Sequence, residues 1–177
     1  MEIAELTEYS IRLSGVVSES VVDGTGIRYT VFVQGCPHHC VGCHNPLTHP
    51  YSGGTVALLS DLAGEICKNP LLDGITLTGG EPFSYPAVLT QLARFVHGKG
   101  MNVWCYSGYT YEELKGLAVD SNAIHDLLNE IDVLVDGRFV EAQRNLMLKF
   151  RGSENQRVID LKTMRKTGTE KIILLFL

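Results

Sequence analysis

The chain has little of what would carry it into a membrane or out of the cell. Its longest apolar run, Ile172 to Leu177, is six residues, and a bilayer span needs about 20. The start, Met-Glu-Ile-Ala-Glu-Leu-Thr-Glu, is acidic and has no signal-peptide shape. Of five cysteines, three cluster while Cys67 and Cys105 stand apart, which is not a disulfide framework. These absences predict a cytoplasmic protein in a reducing compartment, with no membrane contact. A basic excess is also missing. The net charge is −5, so no nucleic acid is expected as a partner. There is no internal repeat and no low-complexity linker. The 177 residues make one domain that buries roughly 70% of its unfolded surface. They are too few for a closed eight-unit (βα) barrel, which takes about 250. Charge is uneven along the chain. Lys149 to Lys171 holds seven basic residues against three acids, either a solvated basic end or an anion or partner surface.

What the chain does have is centred on Gly35 to Pro46, Gly-Cys-Pro-His-His-Cys-Val-Gly-Cys-His-Asn-Pro. Cys36, Cys40 and Cys43 follow an apolar, β-branched run, Tyr29 to Val33. Pro37, Gly42 and Pro46 forbid a regular helix, so the thiols lie on one irregular loop at a strand end. Thiolates suit an iron–sulfur cluster, zinc or copper(I). Three of them leave the fourth iron of a 4Fe–4S cube open. With His38, His39, His44 or His49 as fourth ligand, the same residues read as a structural zinc site.

Along the chain, Ile11 to Val22 reads as an edge strand or hairpin arm, Asp23 to Gly26 as a turn, and Gly26 to Gly35 as the first strong strand. Leu58 to Cys67 has helical spacing, with Cys67 in the core. Gly74 to Thr78 is a second strand, Pro86 to His97 a helix, and Met101 to Tyr106 a third strand. Thr110 opens a helix with Glu113 three residues on, a capping box. Ser121 to Glu130 is another helix, Asp132 to Asp136 a fourth strand, and Val158 to Asp160 a fifth. Ile172 to Phe176 is a sixth strand or a subunit contact. Cys105 reads as a small buried apolar residue.

Strands alternate with helices four times, which predicts parallel βα units with a ligand at the strands' carboxyl ends. Those four tips hold the cysteine loop, Gly79-Gly80-Glu81, Cys105 to Gly108, and Asp136. Glycines at a tip allow close backbone approach. Exposed backbone groups and the Glu81 carboxylate suit the ammonium and carboxylate of an amino acid. Ser107 and Asp136 suit ribose hydroxyls, although Asp136 before Gly137 reads equally well as a turn residue. Arg157 can pair with a ligand carboxylate.

The triad, the Gly-Gly-Glu one βα unit later, Asp136-Gly-Arg-Phe139 and Phe150-Arg-Gly-Ser-Glu-Asn-Gln-Arg157 together resemble the radical S-adenosylmethionine superfamily over roughly Asp23 to Asp160. Within it the chain is similar to the activases of glycyl-radical enzymes. The resemblance implies a partial, open (βα) barrel with a mostly parallel sheet, as one domain over 1–177 with its core at about 23–160. It implies a single 4Fe–4S cluster on Cys36, Cys40 and Cys43, and S-adenosylmethionine held by Gly79, Gly80, Glu81, Ser107, Asp136 and Arg157. It implies reductive cleavage of that cofactor to a 5′-deoxyadenosyl radical, which takes a hydrogen from a glycine Cα. The implied protein substrate is an anaerobic ribonucleoside-triphosphate reductase, and the electron comes from a low-potential donor such as flavodoxin or ferredoxin. The two remaining thiols cannot hold a second cluster. Three readings stay open beside this one: a formate-lyase-type partner, a small enzyme acting on a purine-like metabolite, and a zinc-stabilised interaction module without catalysis.

Overall fold

The computed structural model describes residues 1–176. The last residue of the 172–177 run lies outside them. Eight strands form one sheet: β1 Ser10–Ser20, β2 Arg28–Val33, β3 Thr55–Leu58, β4 Gly74–Gly79, β5 Asn102–Tyr106, β6 Val133–Asp136, β7 Arg157–Asp160 and β8 Leu174–Leu175. Five helices complete the fold: α1 Leu59–Lys68, α2 Pro86–His97, α3 Tyr111–Asp120, α4 Asn122–Glu130 and α5 Leu161–Thr167. The strand order is β3-β1-β2-β4-β5-β6-β7-β8.

The sheet is mixed, which corrects the expectation of a mostly parallel one. The central strands β2, β4, β5 and β6 run parallel, whereas the other four pairings are antiparallel. The reason lies in the connections. Parallel neighbours need a crossover of a dozen or more residues, and the central strands have one through a helix each time. Residues 21–27 between β1 and β2 are too few. Residues 137–156, which carry only a short 3-10 turn, return β7 antiparallel to β6.

Alternation along the central strands sorts their side chains between two environments. Tyr29, Val31 and Val33 of β2, Ile75 and Leu77 of β4, Val103 and Cys105 of β5, and Leu134 of β6 pack in one core with the apolar stripes of all five helices. Each fully buried Leu or Phe there contributes about 1.5–3 kcal/mol. Trp104, Val133, Val135 and Val158 form a smaller cluster on the opposite parity. The Thr110–Glu113 capping box forms as expected, with Glu113 N–H donating to Thr110 Oγ1 at 3.2 Å and Thr110 N–H to Glu113 Oε2 at 2.7 Å.

Two local expectations change. Leu58 belongs to β3 rather than to a helix, and Cys67 is exposed. Four residues of largely exposed edge strand leave no periodic signal, which is why β3 is not readable. Helix α5 buries only Leu161 and Met164, too few to show a helical stripe. It is nonetheless capped at both ends, by Asp160 accepting from Thr163 N–H at 2.8 Å and by left-handed Gly168. The run from Ile172 contributes β8, a two-residue edge strand against β7.

Candidate metal centre

The cysteine loop leaves β2 and is pinned back on its own stem. Gly35 N–H donates to Thr48 O at 2.7 Å and Cys36 N–H to His49 O at 3.0 Å. The Gln34 amide donates to Leu47 O at 3.0 Å and Pro50 O at 2.6 Å. Between these ties residues 37–45 hold no helix or strand, as the prolines require. Cys36 is buried, and Cys40 and Cys43 are half-buried. Burial pushes the Cys36 thiol up, while the backbone N–H groups of His38 and His39 work against it. Asn45 N–H points at Cys43 Sγ at 3.4 Å.

All three thiols line one cavity of about 120 Å³ at the carboxyl ends of β4, β5 and β6, together with Gly79, Gly80 and Ser107. No three His, Cys, Asp or Glu side chains among the described residues converge on a single ion-sized point. A 4Fe–4S cluster takes each thiolate on its own iron, and three thiols lining one cavity fit that donor set. Backbone N–H groups aimed at Cys36 and Cys43 suit charged sulfur.

The Gly-Gly-Glu turn is tighter than the sequence suggests. Gly79 has φ +96°, and a Cβ at Gly80 would strike the Gly35 carbonyl. The Gly80 and Glu81 N–H groups are already spent, on Val33 O and Gly35 O at 2.8 Å each. Glu81 is fully buried. Its carboxylate accepts from Phe83 N–H at 3.0 Å, Ser107 Oγ–H at 3.0 and 3.1 Å, Gly108 N–H at 2.9 Å and the His38 ring at 2.7 Å. Glu81 and Ser107 therefore bond to each other, and Glu81 ties the cysteine loop to the tips of β4 and β5.

Asp136 and Arg157 are brought together, but elsewhere. They are register partners across β6 and β7 and form an ion pair, with Arg157 Nε donating to Asp136 Oδ1 at 3.0 Å. Arg157 also pairs with Glu112 of α3, and Tyr111 N–H donates to Asp136 at 2.7 Å. These hydrogen bonds push the Arg157 guanidinium up. Neither residue lines the cavity. The cause is strand parity. Asp136 shares the helix-facing side with Leu134, while Val133 and Val135 face the other way.

The residues that do reach the cavity include Thr78, Tyr106, Phe139, Gln156 and His49. Tyr106 and Thr78 sit at strand tips on the parity opposite Cys105 and Leu77. Strict alternation was the signal that could have found them. The cavity adjoins a larger one of about 360 Å³, which shares Thr78, Tyr106, Phe139 and Gln156.

Residues 22–159 match the family of the 4Fe-4S single cluster domain, which makes an iron–sulfur cluster the cofactor class of this fold. The chain is 35% identical over 147 residues to the anaerobic ribonucleoside-triphosphate reductase-activating protein of Haemophilus influenzae, covering 77% of this chain and 89% of that one. Its likeness to the protein of the same name from Vibrio cholerae is 36% over 148 residues, with 77% and 89% covered. For the one from Escherichia coli K12 it is 34% over 150 residues, with 80% and 94% covered. The chain belongs to this family of 4Fe–4S activating proteins.

Proposed function

We propose that the chain is the activase of an anaerobic ribonucleoside-triphosphate reductase. The observation that carries this reading is the meeting of three thiols and the Gly79-Gly80 turn around one cavity, in a chain whose relatives bear that name. In this reading Cys36, Cys40 and Cys43 hold one 4Fe–4S cluster. Gly79, Gly80 and Ser107, which line the cavity, hold the methionine end of S-adenosylmethionine, and the buried Glu81 holds Ser107 and the Gly108 N–H behind them. Asp136 and Arg157 keep α3 and β7 in place around the site. A cluster held by Cys36, Cys40 and Cys43 would supply the electron for reductive cleavage of S-adenosylmethionine, the chemistry that would lead to hydrogen abstraction from a glycine Cα. The chain's own work is to position these groups and to exclude water.

Other features support the reading. All five helices pack against one side of the sheet, in keeping with a partial, open barrel formed by a single domain over 1–177. The adjoining 360 Å³ cavity carries apolar groups at its lip, including exposed Val22 and Leu146, a suitable entrance for a protein loop. No described helix is long and apolar enough to cross a membrane, which accords with a cytoplasmic protein. The electron donor is a low-potential carrier of the flavodoxin or ferredoxin type.

The test is to mix anaerobically reconstituted, reduced protein with S-adenosylmethionine and an anaerobic ribonucleotide reductase. A glycyl-radical signal in the reductase by electron paramagnetic resonance is expected. Cofactor cleavage without that signal would remove the partner. A colourless protein containing zinc would remove the chemistry.

A further inference from the structure

His38 lies between two of the cluster cysteines, yet its side chain turns inward and is 4% exposed. Its ring is held on every side. Nε2 lies 2.7 Å from Glu81 Oε2. Arg138 Nε, a group that can only donate, points at Nδ1 at 3.2 Å. Nδ1 must therefore accept, and Nε2 carries the hydrogen that goes to Glu81. Tyr109 meets the ring edge-on, with centroids 4.4 Å apart. A Cβ at position 108 would strike the imidazole, so Gly108 is the residue that makes room for it. Arg138 is held in turn by Glu113, with 3.5 Å between Nη1 and Oε1.

The chain Glu113–Arg138–His38–Glu81 thus runs from α3, through the loop after β6 and the cysteine loop, to the turn after β4. Each link joins a separate segment. His38 is the one group of the cysteine loop that bonds to the Gly-Gly-Glu turn through a side chain. The backbone bonds between these segments leave from Val33 and Gly35, before the first cysteine. Beyond Cys36, the register between thiols and turn rests on the imidazole.

The geometry points to His38 as a positioning residue that sets the cysteine loop against the cofactor end of the site. This rests on the proposed activase reading. His38 also lines the cavity shared by the three thiols, and the role assigned to it here is exerted through Glu81. Its donated hydrogen bond holds Glu81, and Glu81 holds Ser107 and the Gly108 N–H at the cavity wall. A group that merely filled space would be replaceable by any side chain of similar size. A group that acts through its Nε2–H is replaceable by glutamine, whose side-chain nitrogen reaches a similar point and still donates.

The test uses anaerobically reconstituted wild type, His38→Ala and His38→Gln. Iron content is measured first. S-adenosylmethionine is then titrated against the resonance signal of the reduced cluster, which gives both a dissociation constant and a line shape. A hydrogen bond to a charged group predicts a loss of affinity of about 10-fold or more in His38→Ala, with an altered line shape at saturation. His38→Gln should return to within about 3-fold of wild type. Equal weakening in both variants, or wild-type affinity and line shape in His38→Ala, would overturn the assignment. Should His38→Ala load no cluster, His38→Gln alone decides, and it must load iron and bind the cofactor within the same margin. A wild-type signal indifferent to the cofactor would instead overturn the activase reading itself, whatever the variants do.

Discussion

Arg28 stands at the amino end of β2 and Glu81 just past the carboxyl end of β4, and both are 0% exposed. Each is a charge taken out of water, which is costly unless every donor or acceptor is met. Arg28 meets its needs from rigid structure. Its five N–H groups go to Thr76 Oγ1, Thr25 O, Asn102 Oδ1, Asn102 O and Ile75 O, and its guanidinium lies 5.6 Å from the Trp104 ring centre. Burial lowers its pKa to about 10. Glu81 is satisfied largely by loops: the cysteine loop, the turn after β5 and its own turn. Thiols line the cavity beside it. Buried charge alone does not mark a functional site. What separates the two ends is that one network closes the sheet mostly through strand residues, while the other joins loops around a space.

The largest break expected in this comparison is at the loop end. Cys40→Ala should lose all cluster-dependent cleavage of S-adenosylmethionine, read as methionine formed per iron, while its thermal midpoint without the cluster stays near wild type. Retained cleavage would sink the assignment of the triad. At the closed end, Arg28→Met removes a donor from five acceptors. Chemical denaturation should show a loss of about 3 kcal/mol. If cofactor affinity of the folded variant also fell, the two ends would not be independent.

A smaller effect tests the parity argument. Asp136→Asn weakens the pair with Arg157 and should cost about 1–2 kcal/mol of stability, with cofactor affinity unchanged. An affinity loss of 10-fold would bring Asp136 back to the cavity. The smallest effect concerns a cluster where the end of α2 meets the end of α4 and the residue before β6. His97 lies 2.9 Å from Asp132 and 3.0 Å from Glu130. The hydrogen bond to Asp132 does most to raise the His97 pKa; burial opposes it, and the Asp132 charge and the Glu130 hydrogen bond and charge add to the rise. A raised histidine pKa stabilises the fold below its unfolded value, about 6.5. That contribution is lost as pH rises from there through the folded pKa. Wild type should therefore lose less than about 1 kcal/mol relative to His97→Gln across that window, measured by denaturation at stepped pH. A gap that widens with rising pH would reverse the sign and remove the pair.

Much of the site was legible because its chemistry is local. Cys36, Cys40 and Cys43 fall within eight residues, and the prolines and glycine among them dictate a loop. Gly79-Gly80-Glu81 is contiguous and follows a β-branched strand. The four central strands and helices α1 to α4 carry periodicities of 2 and 3.6 long enough to read. Strand β3 and helix α5 are too short for that. For Asp136, alternation is the signal to weigh against a ribose role: two residues back along β6 lies Leu134 in the helix-facing core, and Asp136 does not line the thiol cavity.

From residues alone came the thiol triad, its position at a strand end, the glycine turn and the alternation of strands and helices. These follow from side-chain chemistry and from local backbone preference, which act over a few residues. Tertiary structure alone decided that the sheet is mixed, that Asp136 pairs with Arg157, and that Glu81 is buried against His38. Those outcomes depend on which strands become neighbours and in what register. The imidazole and the carboxylate that meet across the site lie 43 residues apart, and no local rule links positions so distant until the sheet has brought them together.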